Sequence, residues 1–104
     1  MTIAVGNVTS SAGNIYTSTG NTAITFLSFT NYSAGNVVAN VWVVPSGDTA
    51  ANTNIILSQL LITANDTYQL YAGSEKLLLG PGDAVQADAN ANNAITSVTS
   101  YTTI

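Results

Sequence analysis

A chain of 104 residues makes one domain, 1–104, and with no histidine and no cysteine it excludes serine triads, Cys–His pairs, disulfides and thiolate metal sites. Only 6% of its residues are charged, with Lys76 the single base against Asp48, Asp66, Glu75, Asp83 and Asp88, where an ordinary soluble domain carries about 25%. The net charge of -4 argues against nucleic acid and against anionic membrane surfaces, both of which need clustered Lys and Arg.

The opening residues, Met1-Thr2-Ile3-Ala4-Val5-Gly6, show neither a basic region nor a long apolar stretch, so no signal peptide is expected. No run approaches the roughly 18–20 apolar residues of a membrane helix. Helix formers are scarce while Val, Ile, Thr and Tyr abound. Gly, Pro, Asn or Asp break the apolar runs about every 8–12 residues, the rhythm of a sandwich or barrel. Strands are expected over residues 3–5, 15–17, 22–30, 37–44, 55–62, 67–70, 76–79, 84–89 and 95–103. Allowing the shortest to be loops, the fold class is all-β, an antiparallel β-sandwich of jelly-roll or Greek-key type with about eight strands.

The turns have specific chemistry. In Gly80-Pro81-Gly82-Asp83, Pro81 presets the second turn position and Gly82 accepts positive φ at the third, which predicts a type II turn. Pro45-Ser46-Gly47-Asp48 and Asn65-Asp66 close two further strands. The polar stretch 46–54 reads as a crossing between sheets, as Greek-key connections require. Asn90-Ala91-Asn92-Asn93 reads as the turn of the final strand pair, since Asn tolerates left-handed geometry.

Alternation assigns the core. Val37, Ala39, Val41 and Val43 share one face of their strand, yet Val38, Trp42 and Val44 make the other face apolar too, and only Asn40 interrupts it. The segment 55–62 behaves likewise; it is short and lacks the 3.6-residue periodicity of an amphipathic helix, which stays as its alternative. An isolated antiparallel sheet normally shows one polar face to water. Two doubly apolar strands therefore imply a covered second face, either by another subunit or by a loop of the same chain. Trp42, mid-strand in an apolar run, is expected in the core.

No catalytic constellation emerges. Lys76 is the only base that could activate a serine, and it is most simply a solvated turn charge. Four of the five acids fall at turns or strand ends, where carboxylates cap backbone N–H groups, rather than converging as a hydrolytic pair. The glycines around Pro81 precede a strand, so no phosphate-cradling loop is present. The residues Asp88-Ala89-Asn90-Ala91-Asn92-Asn93 imitate the opening of a calcium loop, but Asn93 stands where that loop needs Gly and Thr99 where it needs Glu. The turn reading prevails there, and the expected inventory is no catalytic residue, no metal and no cofactor. Tyr16, Tyr32, Tyr68, Tyr71 and Tyr101, with many Asn and Thr, could form a sugar platform or interface anchors. Sequons at Asn7, Asn31 and Asn65 are read as coincidental in so Asn- and Thr-rich a chain.

Two phrases carry a resemblance. The first is Ile15-Tyr16-Thr17-Ser18-Thr19-Gly20-Asn21-Thr22-Ala23-Ile24, followed by an apolar strand, Asn31 and Val41-Trp42-Val43-Val44-Pro45. The second is Glu75-Lys76-Leu77-Leu78-Leu79-Gly80-Pro81-Gly82-Asp83-Ala84-Val85-Gln86-Ala87. Together they resemble small β-sandwich virion structural proteins of tailed bacteriophages. The resemblance implies a structural role in the particle, first as a capsid decoration (cement) protein, alternatively as a tail, neck or fibre component. It implies a homotrimer whose partners are the major capsid protein or tail and neck proteins, located in the virion after assembly in the host cytoplasm. It transfers no functional residue, because the shared positions are turn and core positions. A carbohydrate- or host-receptor-binding module is the rival from another class.

Overall fold

A computed structural model describes residues 2–70 and 76–104. Among the described residues there are nine strands: β1 (Thr2–Val8), β2 (Gly13–Thr17), β3 (Thr22–Asn31), β4 (Val37–Val44), β5 (Ile55–Ile62), β6 (Thr67–Leu70), β7 (Leu77–Leu79), β8 (Ala84–Ala89) and β9 (Ile95–Thr103). Even the shortest expected segments are strands, and β1 is longer than its apolar centre suggested because the ladder with β9 continues through Gly6 and Asn7. Tyr71 and Glu75, named among the candidate aromatics and acids, lie outside the described residues.

The strands form two antiparallel sheets, β1-β9-β3-β6 with β7 also on β3, and β2-β8-β4-β5. The order follows from one long ribbon folded at its middle. β4 pairs with β5, β3 with β6 and β7, β2 with β8 and β1 with β9. Rolling that ribbon adds the β3·β9 and β4·β8 ladders and closes a jelly roll.

Side chains alternating inward from both sheets make one core. Ile24, Leu27 and Phe29 of β3 meet Val41 of β4, Val85 of β8 and Ile95 of β9, all fully buried. Each large side chain so removed from water contributes about 1.5–3 kcal/mol.

Three expectations need correction. The stretch 46–54 does not cross between sheets, because β4 and β5 are neighbours in one sheet and the segment is the tip of the folded ribbon. Asn54 organises it, accepting the Ala51 N–H at 3.1 Å and donating to the Thr49 carbonyl at 3.0 Å. Conversely, Asn90-Ala91-Asn92-Asn93 links β8 and β9 across the two sheets rather than within one. Sheets lie about 10 Å apart, a gap that three or four residues span, so loop length does not report a crossing. Trp42 is half-buried and stands outside the core cluster, since Val41 and Val85 take the inward positions beside it.

The local turn chemistry holds. Gly82 has φ +82° and the Asp83 N–H reaches the Gly80 carbonyl at 3.2 Å. The two phrases behind the resemblance meet here, because the Ser18 N–H donates to the Asp83 carbonyl and the Gly82 N–H to the Ser18 carbonyl, both at 2.8 Å. The Ser18 hydroxyl is satisfied locally by Gly20 and Thr22. These residues hold two corners of the roll together, which is a structural task.

Candidate functional site

The candidate chemistry read from the sequence disperses on folding. Among the described residues no group of three or more His, Cys, Asp or Glu side chains converges. Asp83 accepts the Ser46 and Gly80 N–H groups, both at 2.9 Å, and these backbone bonds hold its carboxyl below the ordinary value of 3.8. Asp66 accepts the Thr67 N–H at 2.9 Å. In the calcium-like loop, Asn90 Oδ1 accepts the Val38 N–H at 3.1 Å and Asn92 Oδ1 the Ser10 N–H at 2.8 Å. Those oxygens are occupied in tying the end of β8 to β4 and to the β1–β2 connection.

Among the described residues the tyrosines form no common platform. Tyr16 and Tyr101 pack together with ring centroids 4.4 Å apart and planes tilted by 40°, against the core. Tyr101 pairs with Ile24 near one end of β3, whereas Tyr32 follows Asn31 at the other. Seven residues of strand separate them, about 23 Å. Tyr32 donates its hydroxyl to Asn7 Oδ1 at 3.0 Å. Of the sequon asparagines, Asn31 is fully buried, so its side chain is sealed from any modifying enzyme in the folded state.

What the fold presents instead is two outer faces of different character. On the β1-β9-β3 sheet, Ile3 and Val5 are 65% and 69% exposed. Val5 pairs with Val98, Phe26 lies across from Ser100, and Leu78 of β7, also 65% exposed, lies across from Ala23. None of the strands in this sheet holds a charged residue. β1 is an edge strand of seven residues with neither proline nor charge, the devices that normally blunt an edge against further pairing.

The outer face of the other sheet carries a polar cleft of about 350 Å³, lined by Ser10, Val38, Asn40, Gln59, Asp88 and Asn90 together with Ala89. Asn40 is its keystone. Its amide donates to Asp88 Oδ1 at 2.9 Å across the β4·β8 ladder, and its Oδ1 accepts the Gln59 N–H at 2.8 Å across to β5. The second bond exists because β5 bulges here: Ala39 faces Leu60, but Val41 faces Leu57. Gln59 takes up the extra length at φ +55°, a left-handed conformation rare for a residue with a side chain. Two residues further along β4, Trp42 lies across from Gln86 and Ile55.

Sequence reasoning singled out Asn40 as the one polar interruption of an apolar strand, but missed Gln59 and Ser10. A usable signal was present at Asp88, the only charged residue in any of the nine strands. No protein-family model and no curated protein matches the chain.

Proposed function

We propose that this chain is a structural component of a tailed-phage virion, a capsid decoration protein that binds the major capsid subunits and stabilises the shell. The observation that carries the reading is the uncharged outer face of the β1-β9-β3 sheet, with Ile3 and Val5 exposed on an unblunted edge strand. A free protein with so little surface charge is prone to associate. An apolar face beside an open strand edge is stable when a neighbouring subunit covers it. On β5 of the opposite sheet, Leu61 is 56% exposed, so no loop among the described residues covers the second face of that strand. Of the two exposures, the Ile3–Val5 edge is the one that suits a homotrimer seated on a lattice, while the β5 face stays open to solvent. Decoration proteins act by mass action: a ligand that binds only the assembled shell raises the free energy of disassembly.

The test is quantitative mass spectrometry of density-purified particles from the culture that produces this chain. Decoration predicts copies in fixed proportion to the major shell subunit, and an Ile3→Asp/Val5→Asp chain absent from the particles while still folded by circular dichroism. A handful of copies per particle points instead to the tail or neck. Absence of the chain from the particles refutes a virion role.

A further inference from the structure

The cleft on the outer face of the β2-β8-β4-β5 sheet has no part in docking through the opposite face. Its polar groups are unevenly used. Asn40 is engaged at both ends of its amide, which fixes Asp88 Oδ1 and the Gln59 backbone. Asp88 Oδ2, the Gln59 carboxamide and the Ser10 hydroxyl receive no hydrogen bond from the described residues. Asp88, half-buried and the only charge in the nine strands, is held by Asn40 and presents a positioned acceptor at the centre of the sheet. The left-handed Gln59 is a backbone cost of the sort that accumulates at ligand sites.

The rim supplies the complementary apolar surface. Val38 lines the cleft, Leu61 lies across from Val38, and Trp42 stands two positions from Asn40 on the same face of β4. The row Asp88–Asn40–Gln59 crosses three strands, about 10 Å, and about 350 Å³ falls within the usual range of small-molecule sites, roughly 300–1,000 Å³. The sequence's only cation, Lys76, precedes β7 in the opposite sheet, so nothing at the cleft attracts an anion.

A ligand that satisfies this set is uncharged, offers several hydroxyls as donors and acceptors, and has an apolar face for an indole or aliphatic rim. The geometry points to a subsite for a neutral saccharide, with Asp88, Gln59 and Ser10 bonding hydroxyls and Val38 and Trp42 meeting the C–H face. The assignment stands independently of the virion reading.

The experiment is a ¹⁵N-resolved NMR titration of the full chain with glucose, galactose, mannose and N-acetylglucosamine, and with glucose 6-phosphate as the anionic counterpart. At least one neutral sugar should shift, saturably, the amides of Ser10, Asn40, Gln59, Asp88 and Asn90 and the Trp42 indole. Glucose 6-phosphate should bind about ten-fold more weakly or not at all. Because φ +55° suits glycine, Gln59→Gly keeps the fold, and its binding should fall by about ten-fold. Asp88→Asn tests the carboxylate in the same way. Absence of saturable shifts up to about 100 mM of every neutral sugar, shifts outside the cleft, or undiminished binding by Gln59→Gly overturns the assignment.

Discussion

Asn31 is fully buried at the end of β3, yet its side chain makes four hydrogen bonds. Its amide donates to the Gly35 carbonyl at 2.8 Å and to the Ile62 carbonyl at 2.9 Å. Its Oδ1 accepts the Ser33 N–H at 2.9 Å and the Ser33 hydroxyl at 2.7 Å. The residue thereby ties the β3–β4 connection to the end of β5 in the other sheet. Asn31→Ala removes all four bonds, each worth about 1 kcal/mol net, while the Ser33 hydroxyl still reaches Gly35, so a loss of about 3 kcal/mol is expected. For a chain of this size that lowers Tm by roughly 14 °C. Asn31→Asp is the sharper probe, since it keeps the shape but turns a carboxylate oxygen toward two carbonyls. Burial and those dipoles raise its folded pKa above the unfolded value of about 3.9. The folded state then holds the proton more tightly than the unfolded state, so stability is highest below that pH and falls as pH rises through the folded pKa. Thermal unfolding should therefore show Asn31→Asp less stable than Asn31→Ala at neutral pH, with the gap closing in acid. A neutral-pH stability of Asn31→Asp equal to that of the unsubstituted chain would refute the argument, because it would mean that the amide donors do no work.

Other substitutions test separate parts of the structure. The Thr99 hydroxyl is buried with no hydrogen-bond partner, so Thr99→Val should raise stability by about 1 kcal/mol in urea unfolding. A Cβ on Gly82 would sit 2.4 Å from Ser46 Oγ and 2.9 Å from Ser46 Cβ, at φ +82°. Gly82→Ala should cost about 1–3 kcal/mol, and Ser46→Gly in the same chain should return the steric part, read as a coupling energy in a double-mutant cycle. Asp83's lowered pKa contributes stability above the unfolded value that is lost as pH falls through the folded one. Asp83→Asn should therefore lower Tm at pH values above the unfolded carboxyl's titration and converge with the parent in strong acid, once Asp83 is protonated in both states.

What was legible in the sequence was what is local. Pro81 and Gly82 specify their own turn whatever the rest of the chain does, and the observed φ and the Asp83-to-Gly80 bond agree with it. Strand segments were readable from Val, Ile and Thr runs for the same reason. Which strands pair was not, because a partner such as Ser100 for Ile3 lies nearly the whole chain away. Trp42 was misplaced because β4 is apolar on both faces, so alternation finds the strand without saying which side is inside. In the cleft, Asn40 stood out as the polar exception in an apolar strand, whereas Asp88 was read only as one of the acids and the start of a calcium-like loop. Gln59 did not, since its conformation arises from a register slip that exists only once β4 and β5 are paired.

The rolled ribbon also orders events in time. Pairing β4 with β5 closes a short loop at roughly 2 kcal/mol of chain entropy, whereas bringing β1 onto β9 closes nearly the full chain at roughly 4 kcal/mol. The middle of the chain can therefore zip early, and the two ends meet last. Until they do, β3 and β9 expose long uncharged edges to any neighbouring chain. The fold that ends with an uncharged outer face thus passes through a state with open edges, and synthesis at high concentration should divert chains into aggregates in proportion to the time β1 waits for β9.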